Sequence, residues 1–267
     1  MPRTLHSPNP APLSQQRGVA LFIVLVFVMM GMLLALWASR TALFNEMVVG
    51  NDADYQRAFE AAQALVQDAE LDIRGENPDG NPCTDSGCRN MQSGVPLVPV
   101  DSQEVTPLLA DKLDPQPTKC LHGLCAKRGG RQDFWNYTSA TSPAPTNLKP
   151  GEVKLEDMAQ PTVGARYGQY TGATTGSPAV PANPLLQWTA STPGDQGGWY
   201  WIEILPYDES SNNAGLIVDA TGAAGNSLLR LNVKPNVVYR ITALAYGRKP
   251  GTMVVLQQTY VRQVRKD

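Results

Sequence analysis

Few residues in this chain have the types and spacing that could do chemistry: two histidines and four cysteines among 267 residues. His6 lies in a short N-terminal leader, and His122 has no second base near it in the sequence, so it reads as a loop residue rather than a general base. Cys83 and Cys88 form one pair and Cys120 and Cys125 another, each with four residues between its members. Four cysteines allow three connectivities, and spacing alone does not choose among them. Two local bridges are favoured, with crossed bridges between the 83/88 and 120/125 regions as the alternative. A zinc site with His122 as a further ligand fits less well, because structural zinc pairs more often leave a two-residue gap. Neither pair has the Cys-x-x-Cys form of a redox dithiol. Tyr207-Asp208-Glu209-Ser210-Ser211-Asn212-Asn213 is rich in oxygen donors but lacks the ligand spacing of a calcium loop, and reads as a solvated turn. There is no phosphate-cradling Gly-x-x-x-x-Gly-Lys, no Gly-x-Ser-x-Gly and no His-Glu-x-x-His. The expectation is no catalytic residue, no metal and no cofactor: the chain is not an enzyme.

The resource this sequence does hold is a helix. Val19 to Ser39 is 21 residues without a charge, bounded by Arg17 and Arg40. That length crosses a hydrocarbon core of about 30 Å at 1.5 Å per residue. Twelve of these residues are Val, Leu, Ile or Phe. At roughly −0.3 to −0.6 kcal/mol each, they favour insertion by about 4 to 7 kcal/mol. No proline occurs between Pro12 and Pro78, so one helix can run from about Val19 to about Ile73, a rod of about 80 Å. Its second half is amphipathic: Phe44, Met47, Val48, Tyr55, Phe59, Ala62, Leu65, Val66, Ala69 and Ile73 recur near three and four, with Asp54, Arg57, Glu60, Gln67 and Asp68 on the polar side. Gly50-Asn51-Asp52 is the weak point, where a second helix could be capped or one helix kinked.

A polar leader ending in Gly18, then an apolar helix that turns amphipathic, resembles a type IV prepilin. Glu46-Met47, Gly50-Asn51, Asp54, Gln56-Arg57-Ala58-Phe59-Glu60-Ala61-Ala62 and Asp68-Ala69-Glu70 resemble the N-terminal module of PilX-like minor pilins. Tyr239-Arg240-Ile241-Thr242-Ala243, Tyr246-Gly247 and Val254-Val255-Leu256-Gln257-Gln258-Thr259-Tyr260 resemble that family's closing strands. The resemblance implies that prepilin peptidase cuts between Gly18 and Val19 and that Val19 becomes the methylated N-terminus. It also implies an inner-membrane single-pass subunit, its N-terminus cytoplasmic and its head periplasmic, later carried into a surface fibre. Arg3 and Arg17 ahead of the helix agree with that orientation. The major pilins of this class carry a glutamate five residues into the mature chain, where this chain has Ile23. A carboxylate at that depth costs about 2.5–3.5 kcal/mol without a partner. In a fibre the partner is understood to be the amine of the subunit above, so an apolar Ile23 fits a subunit at or near the tip.

Removing residues 1–18 takes away Arg3 and Arg17 and leaves 20 basic against 24 acidic residues, a formal charge of −4. That is no basic footprint, and nucleic acid is excluded as the main partner. Gly75 to Pro82 ends the rod, and the head occupies residues 75–267. Beyond the membrane the compartment is oxidising, so disulfides are the expected fate of the cysteines. Val95 to Leu113, with Pro96, Pro99 and Pro107, reads as an irregular or edge strand and a helical turn near Thr106–Leu113. The aromatics of Asp133-Phe134-Trp135-Asn136-Tyr137 read as core plugs or a cover for the helix. Residues 138–198 read as long surface loop, with Leu148–Met158 and Leu185–Trp188 as the apolar landmarks. Trp199 to Leu205 is a strand whose Tyr200, Ile202 and Ile204 face the core, since Glu203 sits on the other face. Val237–Tyr246 and Met253–Val264 flank Pro250-Gly251 and form a hairpin, with Ile241, Ala243, Ala245, Val254, Leu256 and Tyr260 toward Phe59, Ala62, Leu65 and Val66. The fold class is α+β and type IV pilin-like: a long N-terminal transmembrane and amphipathic helix (residues 19–39 and 40–74) packed against a C-terminal antiparallel sheet with a loop-rich insertion.

The function these expectations describe is a minor pilin that docks its helix against other pilins and helps start or cap the fibre. Gly31 and Ala35 give a neighbouring helix room, and Ile23, Phe44 and Met47 belong to the same contact surface. The resemblance implies other minor pilins, the major pilin, the inner-membrane assembly platform and a large tip adhesin as partners, the lipid bilayer before assembly, and roles in adhesion and twitching motility. The tip pseudopilins of type II secretion, which also lack the glutamate, are the nearest alternative. A membrane-anchored periplasmic enzyme or sensor is the alternative from another class, and for it the helix would be replaceable by any anchor.

Overall fold

The structure is a computed structural model of the chain. It describes residues 17–138, 148–149, 151–177, 180–181, 183–206 and 237–262. The leader before Arg17, the acidic loop at 207–213 and the end of the last expected strand beyond 262 lie outside these. Packing divides the chain into two units, Met1–Asp52 and Ala53–Asp267.

The helix α1 runs from Arg17 to Arg74 without interruption, so Gly50-Asn51-Asp52 does not begin a second helix. In the first unit every residue from Val19 to Val49 is exposed. In the second unit α1 buries a stripe made of Ala58, Ala61, Ala62, Leu65, Val66, Ala69 and Ile73, at the three- and four-residue spacing that puts side chains on one face. Arg57, Glu60 and Gln67 are exposed as their polarity requires. Phe44, Met47 and Val48 of the expected stripe are exposed in the first unit, and three members within the second unit depart from the pattern. Tyr55 is 49% exposed, while Asp54 and Asp68 are each only 2% exposed, on the buried side rather than the polar one. The helix stops where glycine permits. Gly75 has φ +67°, a conformation costly for other residues, and the Glu76 and Gly75 amides donate to Leu71 O at 3.0 Å and Asp72 O at 3.2 Å.

Among the described residues the head carries a sheet of five strands in the order β1 (Cys120–Leu121), β2 (Leu124–Ala126), β5 (Gly198–Pro206), β6 (Val237–Tyr246), β7 (Met253–Tyr260), with a separate small pair, β3 (Gly176–Ser177) and β4 (Val180–Pro181). The sheet is mixed rather than wholly antiparallel, because β2 lies parallel to β5. A parallel neighbour needs a long crossover, and the chain from 127 to 197 supplies it. β5, β6 and β7 are antiparallel in unbroken register, and Pro250-Gly251 closes the β6–β7 hairpin with Thr252 N–H donating to Lys249 O at 3.1 Å. Tyr200, Ile202, Ile204, Ile241, Ala243, Ala245 and Val254 face the stripe of α1, with Phe59, Leu256 and Tyr260 at its border. Each fully buried Leu or Ile here contributes about 1.5–3 kcal/mol.

The opposite sheet face is not solvent-facing. Trp199, Trp201 and Leu244 form a second core with Phe134, Val153, Leu155, Met158 and the Cys120–Cys125 disulfide, so β5 is buried on both sides. Phe134, in a single 3₁₀ turn, plugs this second core edge-on to Trp201, at a centroid distance of 4.9 Å. Residues 148–198 are consequently less a surface loop than a cover. They include the short helix α3 (Leu155–Met158), and Met158, Ala165, Tyr170, Leu185 and Leu186 are all buried. No strand forms in Val95–Leu113. Instead α2 spans Ser102–Pro107, with Asp101 accepting from Gln103 N–H at 3.3 Å and Glu104 reaching back to Val100 N–H at 2.9 Å, and the chain widens past Pro107 into a π-helical turn at Leu108–Leu113. The Asp-Ser-Gln-Glu capping pattern outranks the prolines.

The cysteine spacing is explained by a two-residue turn. His122 and Gly123 both have positive φ, +52° and +84°, as a type I′ hairpin demands, and this sets Cys120 opposite Cys125. A methyl group at Gly123 would also stand 2.7 Å from Ala165 Cβ. The other bridge is Cys83–Cys88, so both disulfides are local.

Asp54 fastens the hairpin to the helix. Its carboxylate accepts from Arg248 N–H at 2.9 Å and Lys249 N–H at 3.0 Å. Burial pushes its pKa up, but these two amides, Thr252 and the Lys249 charge outweigh that and leave it lowered. A Cβ at Gly247 would collide with Asp54 Oδ2 and stand 2.6 Å from Thr252 Cβ. We expect Gly247→Ala to destabilise the head by about 1–3 kcal/mol, read as a lowered urea midpoint by near-ultraviolet circular dichroism, with α1 helicity retained.

Candidate assembly interface

The largest exposed apolar surface on the described chain is the first unit of α1. Phe22, Phe27, Leu33, Leu36, Trp37 and Phe44 are each between 63% and 71% exposed. A soluble monomer rarely shows so much contiguous apolar surface, so this one requires lipid or protein against it. Among the described residues α1 is the one helix long and apolar enough to cross a membrane, and its apolar window is not buried in the fold. Inside it every backbone group but those of the ends is satisfied within the helix, the condition for residence in lipid. Thr41 likewise donates to Trp37 O at 3.0 Å and carries no unmet hydroxyl.

The residues expected to make helix contacts all lie on this surface. Ile23 is 47%, Phe44 63% and Met47 53% exposed. Ala35 is exposed, and a Cβ at Gly31 would meet nothing within 4 Å. Ile23, Phe27, Gly31 and Ala35 follow one another four residues apart along a single ridge, so Gly31 and Ala35 form a shallow step beside two bulky residues. Gly18 and Val19 fall in the first turn of α1.

The head that α1 carries is held by a buried ionic network that the pattern of apolar residues did not announce. Asp72, on the buried stripe, accepts from Arg89 Nε at 2.6 Å and Arg89 Nη2 at 2.5 Å, and both side chains are almost wholly enclosed. Tyr200 Oη donates to the same carboxylate at 3.0 Å. Two further guanidinium donors go to Pro96 O at 3.2 Å and His122 O at 3.0 Å, and the group lies 3.9 Å from the Tyr170 ring centroid. Burial pulls the Arg89 pKa down, but the charge and hydrogen bonds of Asp72 more than offset this and hold it raised. Burial together with the Asp72 charge keeps the Tyr200 phenol far above its ordinary range, so it stays a donor. His122 Nδ1 lies 2.9 Å from Tyr170 Oη, and burial with the Arg89 charge lowers its pKa. It stands in the two-residue turn between β1 and β2.

One turn before Asp72, Asp68 accepts from Gly168 N–H at 2.7 Å and from Thr171 Oγ1, tying the 165–171 segment to the helix. Arg166 finishes that tie. It stacks 3.6 Å from the Trp199 ring and donates to Gln196 O and Pro193 O. Burial lowers its pKa to about 10. Glu203, the residue that seemed to bar one face of β5 from a core, is instead neutralised by Arg240 and accepts from Arg128 N–H at 3.2 Å. No group of three or more metal-ligating side chains converges among the described residues. Among the described residues, one open groove is lined by Asp79, Asp85 and Tyr167 and another by Glu152, Asp157 and Gln160.

A long helix, exposed and apolar at its start and covered by a sheet-bearing head at its end, is the architecture of a pilin-type subunit. The family model described as the C-terminal part of the type IV pilus assembly protein PilX matches residues 121–262, and the PilX N-terminal model matches residues 17–66. The chain belongs to the PilX family of type IV pilus assembly proteins. Comparison with curated proteins and with solved structures finds no match.

The Asp68 site gives a pH dependence of definite sign. Burial is the dominant influence and raises its carboxyl to about 7, against the lowering effect of the Thr171 and Gly168 hydrogen bonds. The native state then holds a proton that the unfolded chain has lost above about 3.9, so stability falls as pH rises from about 4 to about 7, by at most about 1.4 kcal/mol per pH unit. Asp133, held down at about 2, contributes its pH dependence below that window. We expect Asp68→Asn to flatten the fall in melting temperature between pH 4.5 and about 7 in the detergent-solubilised chain, whereas an unchanged slope assigns the effect elsewhere.

Proposed function

We propose that this chain is a minor pilin that helps initiate or cap the type IV pilus, placed at or near the fibre tip, and that it supports adhesion and twitching motility. The observation that carries the reading is the uninterrupted exposure of Val19–Val49 on a helix whose later part anchors a packed head. Such a surface serves first in lipid and then, once withdrawn from it, is driven by water against neighbouring helices. Prepilin peptidase cuts between Gly18 and Val19, the head stands on the periplasmic side, and the assembly platform passes the subunit into the fibre. The partners are the other minor pilins and the major pilin through α1, and a large tip adhesin through the head. The apolar Ile23 supports tip placement, since a subunit with none above it has no amine to pair with a glutamate there. The PilX match favours the pilus over the related secretion pseudopilus.

Mass spectrometry of the mature chain is expected to return methylated Val19 as the N-terminus, and an intact leader on functional protein rejects prepilin processing. Replacing residues 19–39 with an unrelated transmembrane helix is expected to leave the head folded in the membrane and abolish its incorporation into sheared fibres. Full function with the substitute helix reassigns the chain to the anchored-enzyme or sensor class. Ile23→Glu is expected to shift labelled subunits from fibre tips into the shaft or to reduce piliation, seen by immunogold microscopy, and an unchanged tip distribution removes the argument from Ile23.

A further inference from the structure

We propose that the Cys120–Cys125 bridge is a thiol-exchange site that reacts with a dithiol, and that Arg128 governs it by stabilising the thiolate of Cys120. This rests on the head alone and stands apart from the pilus reading. Arg128 is buried, and its guanidinium turns to sulfur. Nη1 lies 3.7 Å from Cys120 Sγ and 3.4 Å from Met158 Sδ, and the group stands 4.7 Å from the Phe134 ring centroid. Glu203, whose charge also reaches Arg128, accepts the Arg128 backbone N–H at 3.2 Å and is held by Arg240 Nε at 2.7 Å. A thiolate formed on Cys120 therefore meets a cation already in contact, the setting that lowers a thiol's pKa. The company of the other bridge is dipolar. Cys88 Sγ accepts from Asp85 N–H at 3.0 Å, and Cys83 Sγ lies 3.4 Å from Thr171 O, an oxygen that repels a thiolate.

Cys120 lies in the wall of an open groove of about 560 Å³, with Thr118, Val153, Asp157 and Gln160. A dithiol entering there as its thiolate attacks Cys120 Sγ. The bond between the two cysteine sulfurs breaks, and Cys125 leaves with the electron pair and takes a proton from water. The second thiol of the dithiol, its proton lost to solvent, then attacks the first at the mixed disulfide, and Cys120 leaves as the thiolate beside Arg128. The dithiol ends as a disulfide, oxidised by two electrons, and the bridge is reduced by the same two. Arg128 favours both steps, first by attracting the incoming thiolate and then by lowering the pKa of the leaving one. Glu152 and Asp157 line the same groove and oppose an anion there, but Arg128 is the charge that touches Cys120 Sγ. Opening the bridge frees the turn whose His122 carbonyl receives Arg89, which ties the exchange to the fastening of the head.

The test poises the full chain in detergent against graded ratios of reduced to oxidised dithiothreitol, quenches with acid and alkylates the free thiols after denaturation. Mass spectrometry of tryptic peptides then reads each pair separately, because cleavage at Arg89 and Lys119 parts them. Near-ultraviolet circular dichroism at each ratio reports whether the head stays folded. We expect Cys120–Cys125 to reach half reduction, with the head still folded, at a ratio about tenfold lower than Cys83–Cys88, which is about 30 mV for a two-electron couple. Arg128→Met keeps the length and the apolar contacts but removes the charge. It should raise the Cys120–Cys125 midpoint ratio about tenfold and leave that of Cys83–Cys88 in place, whereas Arg128→Lys should stay close to the native value. Equal midpoints overturn the proposal, as does Cys83–Cys88 opening first or Cys120–Cys125 opening only as the head unfolds. So does a midpoint that Arg128→Met leaves unchanged. The comparison of the two bridges in the native chain decides even where Arg128→Met fails to fold.

Discussion

The head depends on one ion pair, Asp72 with Arg89, because six parts of the chain meet there. Asp72 comes from α1, Arg89 from the segment after the first disulfide, Tyr200 from β5, Tyr170 from the crossover, and the Pro96 and His122 carbonyls from the loops either side. Removing one partner from a pair this buried leaves a charge with no solvent, a penalty of about 3–5 kcal/mol. The pair is therefore less a source of net stability than a condition on geometry. Any arrangement of the loops that fails to deliver Arg89 to Asp72 strands both. The two local disulfides act in the same direction, since Cys88 immediately precedes Arg89 and the Cys120–Cys125 bridge pins the turn whose His122 carbonyl receives it.

Asp72 is one of three buried carboxylates on the same side of α1. Asp54 and Asp68 lie eighteen and four residues earlier, both spacings that return near the same helical azimuth. Each fastens a different piece of backbone: the β6–β7 turn, the 168–171 segment and the Arg89 loop. Between them the stripe is Ala58, Ala61, Ala62, Leu65 and Ala69, and the small residues let the sheet approach closely. An apolar stripe alone would tolerate a sheet slid along it. Carboxylates at intervals allow one register, because each must find its donors or be left desolvated.

This division of labour explains what was legible in the sequence. The helix limits, the hairpin around Pro250-Gly251 and the core face of β6 and β7 could be read because they are local: uncharged length, a turn dipeptide, alternation. The buried roles of Asp54 and Asp68 could not, since periodicity ranks an aspartate as polar, and their donors lie between 100 and 195 residues away. The second face of β5 was hidden for the same reason. Glu203 argues against a core until Arg240 is placed opposite it, and the register pairing that does so is long-range. The crossover misled by composition, because a Gly- and Pro-rich stretch was expected at the surface while its scattered Met158, Ala165, Tyr170 and Leu186 are buried. Two signals stand in the sequence unread: Asp101-Ser102-Gln103-Glu104 as a helix cap, and His122-Gly123 between apolar neighbours as a two-residue turn.

The exposed apolar part of α1 differs from all of this in kind. The polar fastenings of the head begin at Asp54, and the residues from Val19 to Ala38 offer apolar area and a backbone satisfied within its own helix, the charged Arg40 and Glu46 lying beyond them. Apolar contact is non-directional and close in strength whether the neighbour is a lipid tail or another helix, whereas a buried carboxylate has one set of partners. A chain that exposes one part of its length to lipid or protein, while keeping the other part packed, is served by this separation. The buried carboxylates that α1 gives to the head are Asp54, Asp68 and Asp72, all on its later part, and Val19 to Ser39, Ile23 included, carries no charge.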